Sequence, residues 1–232
     1  FDESVTQNFD AMLKQSIPDY MTMRDLTFKL GRNFINATGG IVDLGASRGE
    51  ALAPFVELKK DAPETAQNLF YALEISDPML AVLRERFNDN RNVSVLKKDL
   101  RQIDDNFTPF LPGRNCLILS VLTLQFVPIE YRAKILRKCF NSLQFGGAII
   151  FVEKVLGNTA DIDELFVDEY YKLKNSNGYS YEDIQRKRAA LEGVMVPMTD
   201  SWNREMLRNA GFSQIDCFFR NLNFCGLLAI KE

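Results

Sequence analysis

A chain of 232 residues with 28 Lys and Arg against 31 Asp and Glu carries a formal charge of −3, and 46% of it is apolar. Such a chain buries a sizeable core, and its charge argues against a large nonspecific nucleic-acid surface while leaving a local basic face open. Histidine is absent, which removes Ser-His-Asp and Cys-His catalysis, the usual general base and the commonest metal ligand, so no metal is expected. Cys116, Cys139, Cys217 and Cys225 lie far apart with no Cys-x-x-Cys pair, and they are expected to be reduced, in a cytoplasmic setting. The longest apolar segment, Cys116 to Val127, is shorter than the roughly 20 residues of a spanning helix, so no membrane partner is expected. Phe1 opens without a secretory leader, and further residues upstream are expected.

In chain order, Phe1, Val5, Phe9, Met12 and Leu13 recur at helical spacing and predict a helix over 1–20 that closes on Ser16-Ile17-Pro18-Asp19-Tyr20. A second helix is expected over about 21–36, before Gly39-Gly40. Strand and helix then alternate: strand 41–45, helix 49–60, strand 69–74, helix 77–87, strand 92–96, strand 116–120, helix 129–143 and, after a Phe145-Gly146-Gly147 turn, strand 148–153. Residues 159–192 read as a helical insertion broken at Asn175-Ser176-Asn177-Gly178-Tyr179, and a helix over 201–209 stops at Asn209-Ala210-Gly211. Two apolar runs, 214–220 and 223–230, are joined so tightly around Asn221-Leu222 that they must pair antiparallel. The whole predicts an α/β, Rossmann-like fold of the class I S-adenosylmethionine-dependent methyltransferase type: a mostly parallel seven-stranded sheet with a C-terminal antiparallel hairpin and N-terminal helices. No linker or repeat interrupts it, so residues 1–232 are expected to form one domain.

The chemistry concentrates at Ile41-Val42-Asp43-Leu44-Gly45-Ala46-Ser47-Arg48-Gly49, an apolar run that stops on Asp-x-Gly-x-Ser-x-Gly. Glycines there let backbone pass close to a ligand, and Glu74, closing the run Leu69-Phe70-Tyr71-Ala72-Leu73, is placed to accept from two ribose hydroxyls. Ser47 stands where a dinucleotide fingerprint carries its middle glycine. A pyrophosphate needs that close approach and an amino-acid tail does not, so S-adenosylmethionine is favoured over a nicotinamide cofactor. A glycine turn after a strand also occurs in α/β domains without any cofactor. Lys59-Lys60 and Lys97-Lys98 read as solvated surface, and Tyr179 and Trp202 are aromatic pocket candidates.

Several longer segments carry a resemblance: Phe1-Asp2-Glu3 with Phe9-Asp10, Ser16-Ile17-Pro18-Asp19-Tyr20, Asp43-Leu44-Gly45-Ala46-Ser47, Thr123-Leu124-Gln125-Phe126, Asn177-Gly178-Tyr179-Ser180, Lys187-Arg188, Leu191-Glu192-Gly193-Val194-Met195 and Asn223-Phe224. Together they resemble the carboxy-S-adenosylmethionine synthase family almost end to end. The resemblance implies an enzyme that takes prephenate and S-adenosylmethionine to phenylpyruvate and carboxy-S-adenosylmethionine, supplying transfer-RNA wobble-uridine modification. It implies a homodimer, to which the N-terminal helices and the insertion would lend their surplus of apolar residues. It also implies that aromatising prephenate itself takes the proton from the sulfonium methyl, so that no imidazole is needed.

Residue by residue, the resemblance places Tyr20 against the cofactor, Gly45, Ala46 and Ser47 at the amino-acid tail, Glu74 (an aspartate in the family) on the ribose, and Ile75, Asp99 and Leu100 around the adenine. Val121 stands where the family has a cofactor-contacting asparagine, and it removes one polar contact. Arg188 is the catalytic candidate: a planar guanidinium grips a new carboxylate with two parallel bonds, whereas an ordinary sulfonium would be repelled. Each has a plainer role open to it. Gln185-Arg186-Lys187-Arg188 also suits a solvated helix face, Tyr20 a helix cap against the core, and Asp99 a helix cap. The alternatives to the synthase are a methyltransferase acting on a small molecule or nucleic acid, and a non-catalytic binding subunit.

Overall fold

A computed structural model of the chain describes residues 9–59, 68–104 and 106–232. The first eight residues of the helix expected over 1–20, and the Lys60 end of that expected over 49–60, lie outside these. Helix α1 runs Phe9–Ser16 and α2 runs Tyr20–Gly31. Tyr20 therefore opens the second helix instead of closing the first. Pro18 has no N–H to continue α1 and restricts Ile17 before it, and Asp19 takes a left-handed conformation (φ 50°) that re-aims the chain. A short 3-10 turn, Arg32–Phe34, ends the N-terminal helices.

From there strands and helices alternate: β1 (Gly40–Leu44), α3 (Ala53–Leu58), β2 (Phe70–Glu74), α4 (Asp77–Arg86), β3 (Val93–Lys97), β4 (Asn115–Val121), α5 (Ile129–Ser142) and β5 (Leu143–Leu156). The insertion forms α6 (Ala160–Ser176) and α7 (Tyr181–Leu191), and the chain closes with β6 (Met198–Thr199), α8 (Asp200–Ala210), β7 (Gln214–Asn221) and β8 (Phe224–Ile230). The main sheet runs β3-β2-β1-β4-β5-β8-β7, parallel except where β8 pairs with β5 and β7. It matches the seven strands expected. An eighth, β6, was not foreseen: two residues pair parallel with Val155 and Leu156 at the far end of β5. The Phe145-Gly146-Gly147 turn is likewise absent as a separate element. It is an irregularity within β5, with Gly146 at φ 75° and the register slipping opposite Cys116.

The central strands are buried along their whole length, as strands covered on both faces must be. Side chains alternate between two cores. Val42, Leu44, Leu73, Ile118 and Ile149 face α5 and α8, while Ile41, Phe70, Ala72, Leu117 and Ile150 face α2, α3 and α4. Because β2 and β3 lie to one side of β1 and β4 lies to the other, a crevice opens beyond the carboxyl ends of β1 and β4, the switch point at which open α/β sheets bind ligands. Two caps fix the insertion over that crevice. The Thr159 hydroxyl accepts from the Ile162 N–H to start α6, and the Ser180 hydroxyl accepts from the Asp183 N–H to start α7.

Candidate functional site

A cavity of about 1270 Å³ occupies the switch point. Every site residue expected from the sequence lines it: Tyr20, Gly45, Ala46, Ser47, Glu74, Ile75, Asp99, Leu100, Val121 and Arg188. Its floor is the turn after β1. Gly45 sits at φ 64°, and a Cβ there would lie 2.6 Å from Thr123 Cγ2, so both conformation and space select glycine. The Thr123 hydroxyl donates to the Leu44 carbonyl (2.7 Å) and buttresses the turn from the far side. Gly49 (φ 81°) lets the chain enter α3 against Phe87, which a Cβ would approach to 2.7 Å.

Glu74 locks this turn to β2. Its Oε2 accepts from the Ser47 N–H at 2.8 Å, and its Oε1 accepts from the N–H groups of Ile75 (2.8 Å) and Ser76 (2.9 Å). A carboxylate offers about four acceptor directions, and the backbone occupies three. The fourth, on Oε2, is where a ribose hydroxyl would bond; a second hydroxyl would have to share a direction already used. The carboxylate is thus held in place before any sugar arrives.

Asp43, in the motif but not singled out by sequence, is 1% exposed, lines the cavity, and has an Oδ2 without a hydrogen-bond partner among the described residues. Burial pushes its carboxyl up to about 8, with Arg24 opposing and Glu50 and Glu74 adding to the rise. An orphaned acid oxygen beside a glycine turn fits the cationic amino group of an amino-acid tail. Arg24 is a second residue missed from sequence: it reaches from α2 into the cavity and donates to the Tyr20 hydroxyl (3.4 Å), available for the tail's carboxylate. Helical spacing from Tyr20 was the signal for it. These features, with the glycine cradle and Glu74, fit an adenosyl donor with an amino-acid tail.

Where the resemblance puts the adenine, Ile75 is 54% exposed and borders the opening. Asp99 caps the 3-10 turn Leu100–Gln102 through the Arg101 N–H (2.9 Å), and both its oxygens are bridged by the Arg101 guanidinium (2.6–3.0 Å). This pairing holds the carboxyl below its ordinary range. A ligand amine would share those oxygens with Arg101. Lys97 is solvated as expected, paired with Asp77 at 2.6 Å. Lys98 is not: it lies 4.7 Å from the centre of the Phe107 ring, lines the cavity, and is 22% exposed. Strand alternation turns it inward where Lys97 turns out. Lys60 lies outside the described residues. Trp202 is exposed on α8 and does not line the cavity.

The opposite wall is the loop after β4. The buried Glu153 accepts from the N–H groups of Leu124 (2.9 Å) and Gln125 (2.6 Å), and the Gln125 side chain accepts from the Lys154 N–H (2.7 Å). Burial pushes Glu153 up to about 8 against the pull of Arg132. Val121, at the end of β4, presents no polar group to the cavity beside this loop.

Facing that wall are Arg188 and Lys187 of α7, Lys174 of α6 and Lys154 of β5. Arg188 is exposed at the rim, and its charge helps hold Lys154 below the ordinary lysine range, after burial. Sequence reasoning reached Arg188 through resemblance and missed Lys154 and Lys174. A lysine interrupting the apolar run of β5 was the one available signal. Among the described residues no group of carboxylates and thiols is gathered to hold a metal, and no helix is long and apolar enough to cross a membrane.

This cavity, floor and sheet order define a class of protein, the S-adenosylmethionine-dependent methyltransferase fold. A methyltransferase domain family matches residues 42–151. Among solved structures, an S-adenosylmethionine-dependent methyltransferase from Aquifex aeolicus superposes with a TM-score of 0.59 at 16% identity over 100% of both chains. Human N-acetylserotonin methyltransferase, solved with S-adenosylmethionine, gives 0.61 at 14% identity over 99% of this chain and 56% of that one. Curated sequences go further. Carboxy-S-adenosyl-L-methionine synthases from Methylococcus capsulatus and Nautilia profundicola are 34% and 31% identical over 100% of this chain and 93% and 94% of theirs. The chain belongs to the carboxy-S-adenosyl-L-methionine synthase family.

Proposed function

We propose that this protein is a transferase making carboxy-S-adenosylmethionine from S-adenosylmethionine and prephenate, with release of phenylpyruvate and water. The observation that carries the reading is Arg188, a guanidinium that has no ion-pair partner among the described residues and lines the same cavity as the adenosyl cradle. The cavity's 1270 Å³ exceeds the roughly 300–1,000 Å³ typical of a single small-molecule site and accommodates donor and acid together.

When bound, the donor supplies the sulfonium methyl carbon that takes up the carboxyl. The protein's part is to bind and orient. Glu74 and the Gly45–Ser47 turn fix the nucleoside, Asp43 and Arg24 the two charges of the tail, and Arg188 grips the carboxyl at its destination. A charge-assisted contact of that kind contributes about 1.5–3 kcal/mol, roughly a factor of 10 to 100 in retention. Loss of carbon dioxide and of the ring hydroxyl aromatises prephenate, and that hydroxyl leaves as water with the methyl proton, so no protein base is required.

Mass spectrometry of the nucleoside after incubation with prephenate tests this. The expected product is heavier than S-adenosylmethionine by one carbon dioxide; unchanged S-adenosylmethionine would overturn the reading. Val121, apolar where relatives of this type carry asparagine by the resemblance above, favours one second reading, ordinary methyl transfer. That reading yields S-adenosylhomocysteine and an activity that survives Arg188→Ala.

The finer setting follows from the same proposal: a cytoplasmic homodimer whose product feeds transfer-RNA wobble-uridine modification without itself contacting the RNA. Four free cysteines and a net charge of −3 support it, as do Met21 on α2, Leu165 on α6 and Tyr181 on α7, each at least 60% exposed. Light scattering at micromolar concentration reads the dimer, and a monomer alone would refute it.

A further inference from the structure

Lys154, Lys174 and Lys187 stand in a ladder with two tyrosine rings. Lys154 Nζ lies 4.8 Å and Lys174 Nζ 5.3 Å from the centre of Tyr170, while Lys174 Nζ lies 5.1 Å and Lys187 Nζ 4.1 Å from the centre of Tyr179. The rings come from α6 and from the 177–180 turn, which is pinned to α1. Ser16 Oγ and Lys187 Nζ both donate to the Tyr179 hydroxyl (3.0 and 2.8 Å), and the Asn177 side chain donates to the Gln15 carbonyl (2.9 Å). The ladder is therefore a fixed structure built by three separated segments.

Among the described residues no acid pairs with its charges. Neighbours on the same helices that face solvent find acids: Lys172 pairs with Glu169 at 2.6 Å, and Arg186 pairs with Asp183. Among the described residues none of Lys154, Lys174, Lys187 and Arg188 forms an ion pair. The acid whose charge acts on Lys154 is Asp163, whose Oδ1 is taken by the Gly157 N–H. Lys174 is 6% exposed, and its ammonium makes no hydrogen bond to a described residue. Ring faces attract a cation but fill none of its three N–H directions. Three ammonium groups brought together, one nearly buried and unpaired among the described residues, all lining one cavity, are what an anion's oxygens would complete.

We propose that Lys154, Lys174 and Lys187 form a second anion subsite, distinct from Arg188, that holds the carboxylate which the acid co-substrate keeps. This deepens the function proposed above and rests on it for the identity of the acid. Prephenate carries two carboxylates, and only one leaves. With the retained one on the lysine ladder and Arg188 at the donor, the departing carboxyl is aimed across the cavity at the carbon that takes it up. Tyr170, which lines the cavity, supplies a face for the rest of the molecule, while Tyr179 stands behind the lysines and does not line it. Phenylpyruvate, which still carries the retained carboxylate, is the natural probe.

Calorimetry with phenylpyruvate and with S-adenosylmethionine tests this on the wild-type chain, Lys174→Met, Lys187→Met and Lys174→Arg. The expected result is phenylpyruvate affinity lowered about tenfold or more in either methionine variant, restored by arginine, with S-adenosylmethionine affinity unchanged. Equal phenylpyruvate binding in all four, no binding by the wild type, or a parallel loss of S-adenosylmethionine affinity would each overturn the subsite. Lysine-dependent phenylpyruvate binding without a carboxylated nucleoside product removes the proposed reaction and leaves the subsite. A carboxylated product with lysine-independent phenylpyruvate binding does the reverse.

Discussion

The two ends of the cavity are built on opposite principles. The nucleoside end is main chain: consecutive residues of one turn, with three N–H groups converging on Glu74. The cationic end is long side chains from β5, α6 and α7, with like charges facing one another and no ion pair to an acid among the described residues. At the first end, Glu74 and the N–H groups around it already satisfy each other and hold β1 to β2, with the Asp43 Oδ2 the exception. At the second they repel, and the surrounding core keeps them together. The nucleoside end should therefore support the fold, while the cationic end should burden it until an anion arrives.

Glu74→Ala gives the largest effect because it strikes binding and fold at once. It leaves three backbone N–H groups without their acceptor, at about 1–3 kcal/mol for each that stays dry. We expect a loss of about 2–4 kcal/mol in denaturant unfolding and a fall of tenfold or more in S-adenosylmethionine affinity. A binding loss with full stability would break the view that this carboxylate organises the turn. Arg188→Ala is its counterpart. The side chain is exposed and pairs with no described residue, so stability should change by no more than about 0.5 kcal/mol. Affinity for carboxy-S-adenosylmethionine should fall roughly 10- to 100-fold, with that for S-adenosylmethionine intact. Equal losses for both nucleosides would show Arg188 serving the common scaffold instead of the carboxylate.

The same contrast explains what the sequence disclosed. The order of strands and helices was legible because buried parallel strands are short apolar runs separated by helical spacing, and the glycine turn because its residues are contiguous. Boundaries slipped where a local conformation overrode the pattern, as at Asp19, which re-aims the chain before Tyr20, and at Gly146, which bulges a strand instead of ending it. β6 was invisible because two residues carry no periodicity. Lys154 and Lys174 escaped because nothing in a sequence says that residues 20 apart will share a tyrosine ring. Arg188 stood out only through the segments flanking it, since Arg186 in the same run does pair with an acid.

The smallest effect, and the finest test of the comparison, lies in how stability follows pH, because the two ends should titrate with opposite sign. Asp43, facing Arg24, Glu50 and Glu74, is raised from 3.8 to about 8. Between those values the unfolded chain has released a proton that the folded chain still holds, so stability falls as pH rises through that window. Glu153 acts in the same direction, also raised to about 8. Lys174, facing Lys154 and Lys187, is lowered from 10.5 to about 8 by burial and then by those two charges. Between about 8 and 10.5 the unfolded chain holds the extra proton, so its contribution to stability rises with pH. Denaturant midpoints of the ligand-free protein should accordingly decline toward pH 8, more gently in Asp43→Asn, with Glu153 supplying the remaining slope. Above pH 8 the wild type should recover part of the loss, and Lys174→Met should shrink that recovery, Lys154 supplying the rest, while unfolding at a higher midpoint near neutrality. If Lys174→Met instead lowers the neutral midpoint, the ammonium is stabilised by its rings, and the two ends do not differ in the way their construction implies.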